Sequence, residues 1–515
     1  MFNLSNNWLK RILLTLCIVI FSICTVGCNT SKELQSETHI DEIKKGGFTV
    51  NTSVHDPSIV VGEDGTYYIF GSHMEAAKSD DLRQWNSFAS GVNEKNPLFL
   101  NLFDDSMSAF SYVNKHVDGG YAVWAPDVIY NKKMEKWVMY FCTSHDYQTS
   151  NLCFATADQI EGPYEYQDTF LYSGFTMATV EKTNFFEVME TDDKHVLKGY
   201  IQGGGYNHSV YPNCIDPTVF YDEDDRMWMV YGSWSGGIFL LEIDEETGYP
   251  IHPEADEENG VDRYFGKHLL GGLHNSCEGP YILYDEQTKY YYLFVSYGGL
   301  TSEGGYQIRV YRSENVDGPY LDTQGQNLGS VIDHSSYGLK MMGNYTFPSL
   351  VYTYMAPGHN SAFIDKDGKM YLVYHQRFDD GQEYHEPRVH QMFINENGWP
   401  VAAPFATCGE TIRSNGYSNS EVSGTYYYIN HETDIGSTVH ETQEIVWNQD
   451  GTITQNGKKI GNYVLKKNTP YVAVMIGEQQ YDGVMIQMQD EAGNQTMCFT
   501  ACGTNNKTIW GVHYQ

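Results

Sequence analysis

The sequence predicts an all-β protein, a five-bladed β-propeller followed by a smaller β-barrel or β-sandwich domain. Three observations carry that expectation. The 515-residue chain is rich in strand and tight-turn residues, with 41 Tyr, 24 Phe and 49 Gly. One short plan recurs five times within residues 50–402. From 403 to 515 the plan stops, while strand-like alternation continues.

The five copies begin at Asp56-Pro57-Ser58-Ile59-Val60, Ala125-Pro126-Asp127-Val128-Ile129, Asp216-Pro217-Thr218-Val219-Phe220, Gly279-Pro280-Tyr281-Ile282-Leu283 and His359-Asn360-Ser361-Ala362-Phe363. Each is a short apolar strand, a polar turn and a second, aromatic strand. Eleven residues after the Pro (after Asn360 in the fifth copy) an aromatic always stands: Tyr68, Trp137, Trp228, Tyr291 and Tyr371. A fixed offset repeated five times marks a structural repeat. Pro is tolerated at the first residue of a strand and is expected to hold the residue before it extended. Asp81 to Trp85, Gly162-Pro163-Tyr164 and Gly318-Pro319-Tyr320 read as outer-strand endings. Copies lie far enough apart to require inserted loops, such as 86–120 and 165–210. Radial closure of four-stranded sheets leaves short protected edges around a central channel.

After Trp399-Pro400-Val401, alternating runs such as Tyr426 to Ile429 and Val484 to Met488, with hairpin dipeptides Asp450-Gly451 and Asn456-Gly457, predict a second all-β domain. At the other end, Lys10 and Arg11 precede an apolar run from Ile12 to Val26, and Gly27 stands before Cys28. Residues 1–28 therefore read as an export signal, too short for a membrane span. Thr25-Val26-Gly27-Cys28 resembles a bacterial lipobox, with Thr25 where Leu is usual, so lipidation of Cys28 is an expectation beside secretion. Residues 29–49 are polar and read as a tether.

Acidic residues outnumber basic ones 66 to 32, a formal charge of −34. That balance excludes nucleic acid and anionic lipid surfaces as partners and suits a neutral polymer. The seven cysteines beyond Cys28 have scattered spacing, without a disulfide framework or zinc pattern. Small buried thiols are the preferred reading, with a Cys498–Cys502 pair as the alternative.

The innermost strand of each blade lines the channel, so equivalent positions should converge. The residue before the Pro is Asp56, Ala125, Asp216, Gly279 and His359 in turn; one earlier stand His55, Trp124, Ile215, Glu278 and Gly358. Carboxylates from three copies suit glycosidic cleavage, which needs one protonated acid and one ionised partner across a sugar. A third carboxylate can raise the acid's pKa. Trp124 offers a flat face for a sugar ring or ordinary packing. His359 is open between a core histidine, a metal ligand and a proton-bearing group.

Taken together, His55-Asp56-Pro57-Ser58, Trp124-Ala125-Pro126-Asp127, Ile215-Asp216-Pro217, Glu278-Gly279-Pro280-Tyr281 and Gly358-His359-Asn360-Ser361 resemble glycoside hydrolase family 43, within it the endo-α-1,5-L-arabinanases with an extra C-terminal β-domain. The resemblance implies Asp56 as general base, Glu278 as general acid and Asp216 as the residue that tunes Glu278. It also implies inversion, with the two carboxyls roughly 6.5–9.5 Å apart. It implies a calcium ion held in part by His359, which oxygen-ligand preference alone would not predict. Gly232-Ser233-Trp234-Ser235 resembles an arabinanase segment, making Ser233 and Trp234 candidate substrate contacts; blade packing is the alternative for Trp234. The expected partner is arabinan, bound by a monomer. An exo-acting arabinofuranosidase or β-xylosidase and a non-catalytic glycan-binding lipoprotein are the rival readings.

Overall fold

A computed structural model describes residues 43–47, 49–104 and 109–515. The export signal, Cys28 and most of the tether lie outside the described residues. The repeat folds as five antiparallel sheets in sequence order. The first holds β1 (Ser58–Val61), β2 (Tyr67–Gly71), β3 (Glu75–Ser79) and β4 (Asn86–Ala89). The second holds β5 (Ala122–Asn131), β6 (Lys136–Ser144), β7 (Ser150–Ala157) and β8 (Glu165–Tyr172). A two-stranded ribbon, β9 (Ile201–Gln202) with β10 (Gly205–Tyr206), lies within the following insertion.

The third blade departs from the four-strand expectation. Its strands β11 (Thr218–Tyr221), β12 (Met227–Gly232) and β13 (Ile238–Ile243) are joined by β14 (Pro250–Ile251), β15 (Val261–Asp262) and β16 (Gly266–Leu270) into a six-stranded sheet. The fourth holds β17 (Cys277–Asp285), β18 (Tyr290–Tyr297), β19 (Gln307–Ser313) and β20 (Leu339–Met342). The fifth holds β21 (Tyr354–Ile364), β22 (Met370–Phe378), β23 (His385–Ile394) and β24 (Pro400–Ala402). The Asp81 to Gln84 and Gly162-Pro163-Tyr164 segments are connections into a fourth strand rather than strand endings, and Gly318-Pro319-Tyr320 lies in the long loop between β19 and β20. Polar and Pro-containing segments serve such reversals.

Each repeat aromatic lies on its blade's second strand, facing the inner strand: Tyr68 opposite Val60, Trp137 opposite Tyr130, Trp228 opposite Phe220, Tyr291 opposite Tyr284 and Tyr371 opposite Phe363. Cross-strand pairing of aromatic and β-branched side chains stabilises each hairpin by a few tenths to about 1 kcal/mol.

No blade shares a strand with its neighbour. The ring is instead clasped by the residue just after each Pro or Asn360. Ser58 donates to the Asp127 carboxylate, whose other oxygen accepts the Val219 N–H at 2.6 Å. Thr218 donates to the Pro280 carbonyl at 2.9 Å, and Tyr281 bonds the backbone of Ala362. Ser361 donates to the Pro57 carbonyl at 2.7 Å and accepts the Ile59 N–H at 3.1 Å. These contacts cross all five blade junctions. Burial pushes the Asp127 carboxyl up to about 6, against the opposing Ser58 and Val219 hydrogen bonds.

The second domain is a closed eight-stranded barrel, β25 (Gly424–Asn430) to β32 (Thr508–Tyr514). Its hairpins turn at Asp450-Gly451 and Asn456-Gly457, as their dipeptides predict. Barrel residues Val484, Ile486 and Trp510 share one buried cluster with Phe294, Leu372 and Phe405. Lys340 of β20 reaches Asp434 at 3.1 Å, and Arg309 of β19 donates to the Thr433 carbonyl at 2.7 Å. All seven cysteines beyond Cys28 are free.

Candidate active site

At the residue before each Pro or Asn360 the backbone takes the left-handed conformation: φ is 56° at Asp56, 39° at Ala125, 54° at Asp216, 57° at Gly279 and 47° at His359. This overturns the expectation of an extended residue before Pro. For a non-glycine residue the conformation costs about 1–2 kcal/mol, and such strain persists only where surrounding structure enforces it. Here the ladder is bulged between Trp124 and Asp127, Glu278 and Tyr281, and Gly358 and Ser361. A bulge re-aims side chains.

Asp56, Asp216, Glu278 and His359 come together at one end of the channel, in a cavity of about 360 Å³. His359 Nδ1 lies 3.0 Å from Asp56 Oδ1, and His55 Nδ1 lies 2.8 Å from Oδ2, which also accepts the Ser72 hydroxyl. The Asp56 N–H donates to His375 Nδ1 at 3.3 Å. Burial works to raise the Asp56 pKa, but His359 and His55 outweigh it and hold the carboxyl well below its ordinary range. The same pairing, against burial, lifts His359 to about 9.

The other two carboxyls move the opposite way. Burial raises Glu278; repulsion from Asp56 adds to it, while His359 and hydrogen bonds from Ser233 (3.0 Å) and Tyr306 oppose it. Burial also raises Asp216, with repulsion from Glu278 and Asp56 against the attraction of His359. Asp216 accepts the N–H of Gly279, the residue after Glu278, at 3.2 Å. One carboxyl is thus held toward its ionised form while the two others are pushed toward their protonated forms, the division acid–base chemistry requires.

Two glycines make the packing possible. A Cβ on Gly279 would stand 3.0 Å from the His359 ring, and one on Gly358 would stand 2.1 Å from the Tyr306 ring. Glycine at 358 therefore lets Tyr306 lie flat enough to reach Glu278.

Trp124 lines the cavity beside Tyr147, their rings 5.4 Å apart, and Tyr147 is 56% exposed. Leu300, Arg377, Glu383 and His385 also line it. Ser233 is buried, and its hydroxyl is bonded to Glu278 rather than turned to open space. Trp234 is half-buried with its ring 5.4 Å from that of His274 and is not among the lining residues.

Sequence reasoning missed Ser72, Ser296, Tyr306 and His375. A signal existed for three of them. Four or five residues after the repeat aromatic, where the second strand ends, stand Ser72, Ser233, Ser296 and His375. They contact Asp56, Glu278, the His359 N–H (2.7 Å) and the Asp56 N–H respectively. Tyr306, in an inserted loop, has no repeat position.

Residues 49–176 and 170–400 match the model of glycosyl hydrolases family 43. The chain belongs to glycoside hydrolase family 43. Residues 404–511 match the family's C-terminal lipocalin-like domain, consistent with the closed barrel. An extracellular endo-α-(1→5)-L-arabinanase 2 of Bacillus subtilis is 38% identical over 475 residues, covering 89% of this chain and 92% of its own. An extracellular endo-α-(1→5)-L-arabinanase of Thermotoga petrophila is 36% identical, covering 90% and 94%. The crystal structure of the Thermotoga petrophila endo-1,5-α-L-arabinanase in complex with TRIS superposes with a TM-score of 0.78 at 35% identity, covering 91% of this chain and 100% of that one. The family 43 YxiA protein of Bacillus licheniformis gives 0.77 at 37% identity, covering 91% and 99%. The family 43 likeness thus spans both domains.

Proposed function

We propose that this protein is an exported, inverting endo-arabinanase that hydrolyses internal α-1,5-L-arabinofuranosidic bonds of arabinan. The observation that carries the reading is the separation of protonation states at one channel mouth. Asp56 is held ionised by two histidines, while Glu278 is pushed toward its protonated form. Asp56 accepts a proton from water as that water attacks the anomeric carbon. Glu278 gives its proton to the leaving oxygen, and the sugar inverts. Asp216 acts by positioning: it accepts the N–H of the residue after Glu278, and repulsion between the two carboxyls disfavours ionising both at once. His359 and Ser72 fix the Asp56 carboxylate. Trp124 and Tyr147 supply apolar faces for sugar rings.

The endo mode and the substrate rest on the two arabinanase relatives that match both domains. Both are named extracellular, which agrees with the signal-like stretch before Cys28. Anchoring through Cys28 and a monomeric state belong to the same reading.

A calcium ion at the axis is part of this proposal, and the residues fit one. Three carboxyls crowd a buried site with His359 as their principal nearby cation. On giving up a ring proton, His359 would hold the ion through that nitrogen, with waters completing an oxygen-rich shell. When bound, calcium would supply positive charge that favours ionised carboxylate.

Product analysis on linear and branched arabinan beside xylan tests the reading, comparing the intact enzyme with Glu278→Ala. A ladder of arabino-oligosaccharides that vanishes in the variant is expected. Monomeric arabinose or xylose alone would replace it with an exo-acting activity. Intact polymers would leave a glycan-binding protein. Chelation followed by calcium re-addition, read by activity and by thermal melting, tests the ion.

A further inference from the structure

Away from the channel mouth, the β21–β22 and β17–β18 turns approach the barrel and enclose a cleft of about 480 Å³. The strand direction places it at the opposite end of the inner strands from Asp56 and Glu278. It falls within the size range of small-ligand sites.

Its lining combines two chemistries. Ile364 (37% exposed), Ile412 and the Tyr471 ring form an apolar side contributed by propeller, connection and barrel. Gln391 of β23, only 3% exposed, also lines the cleft, and its Oε1 has no hydrogen-bond partner. A buried carbonyl without a donor costs about 1–3 kcal/mol, and its position calls for a group that donates. At the rim Lys369 pairs with Asp367 at 3.2 Å, and the buried Asp285 carboxylate is occupied by the N–H groups of Gln287 and Thr288 and the Thr288 hydroxyl. A sugar, which donates hydrogen bonds, carries no charge and presents C–H faces to apolar side chains, meets this chemistry.

We propose that this cleft is a second, non-catalytic binding site for a segment of the arabinan chain, a choice of polymer that rests on the function proposed above. One segment held here while another occupies the mouth makes the second encounter intramolecular. Affinity for polymer then rises without any change toward short oligosaccharides.

The test uses the full-length protein in two forms. With Glu278→Gln to silence cleavage, migration is followed in native gels containing linear arabinan, galactan or xylan. With Glu278 intact, hydrolysis of a short arabino-oligosaccharide is measured. Thr411→Arg fills the cleft from an exposed rim position, and Tyr471→Ala removes the ring. Each should weaken retardation by arabinan roughly fivefold or more and leave short-substrate kcat/KM unchanged. Unaltered retardation in Thr411→Arg, whose exposed site spares the core, overturns the proposal. A parallel fall in short-substrate hydrolysis assigns the effect to the mouth and also overturns it. Retardation by xylan but not arabinan overturns the ligand class. An intact enzyme that cleaves no arabinan, beside a silenced form still retarded by it through Tyr471, would sink the catalytic reading and leave this one standing.

Discussion

Two rings of residues surround the same axis, two positions apart in sequence, and they behave differently. At the mouth stand Asp56, Ala125, Asp216, Gly279 and His359, all left-handed. Behind them stand Ser58, Asp127, Thr218, Tyr281 and Ser361, each bonded to a neighbouring blade. Both rings contain a buried carboxyl with a raised pKa, Asp216 in front and Asp127 behind. The front group faces two other carboxyls and an imidazole across open space. The rear group spends both oxygens on blade junctions. Burial and a shifted pKa alone do not mark a catalytic group; what its bonds join decides.

The largest effect should come from the mouth, at Asp56 of the front ring and at Glu278 beside Gly279. Glu278→Gln and Asp56→Asn should each lower kcat on arabinan by roughly 10²–10⁴-fold, with melting temperature near that of the parent. If either loss is traced to unfolding in a thermal scan, the front ring is structural after all.

Asp127→Ala should do the reverse. It leaves the Ser58 hydroxyl and the Val219 N–H unpartnered, costing about 1–3 kcal/mol of stability for each. Activity per folded molecule should stay within a few-fold, as chemical denaturation paired with active-site titration would report.

Tyr306→Phe probes the link between ring and loop. Losing its hydrogen bond should lower kcat by roughly tenfold, the worth of a charge-assisted bond of about 1.5 kcal/mol. The same loss favours protonated Glu278, so the alkaline limb of the pH–rate profile should move upward. A purely structural tyrosine would leave that limb in place.

The smallest effect is a slope. Asp127 in the fold is raised to about 6, above its unfolded value of about 3.9. The folded state therefore binds the extra proton. This contribution is complete below about pH 4 and is lost as pH rises through about 6. Asp127→Asn can serve Ser58 and Val219 without titrating, and should flatten stability across that window. An unchanged slope in pH-dependent denaturation would mean that Asp127 is already ionised at acid pH.

Much of this was legible because Pro and the aromatic eleven residues later are enforced by strand geometry in every blade. The same register pointed to Asp56, Asp216, Glu278 and His359. It did not separate the rings, since Trp124-Ala125-Pro126-Asp127 looks as catalytic as its neighbours until the bulge turns Ala125 inward and leaves Asp127 at a junction. Nor could it place Tyr306, which an insertion delivers, or the extra strands β14 and β15, too short to alternate. The left-handed residues ran against local propensity, because tertiary packing imposed them at a functional site.

The absence of a shared strand between blades has a consequence for engineering. Chain order is not written into the ring: the junction between the fifth and first blades is fastened by Ser361 in the same manner as the others. Each blade can be regarded as a separable cassette that delivers one side chain to a common hub. New ends opened in the exposed Glu63-Asp64-Gly65 turn, with the original termini tied together, would preserve the hub while reshuffling the linear order of its residues. The repeat thus supplies five sockets, which in this chain hold a base, an acid's neighbour, a positioning carboxyl, a histidine and, at Ala125, nothing that reacts.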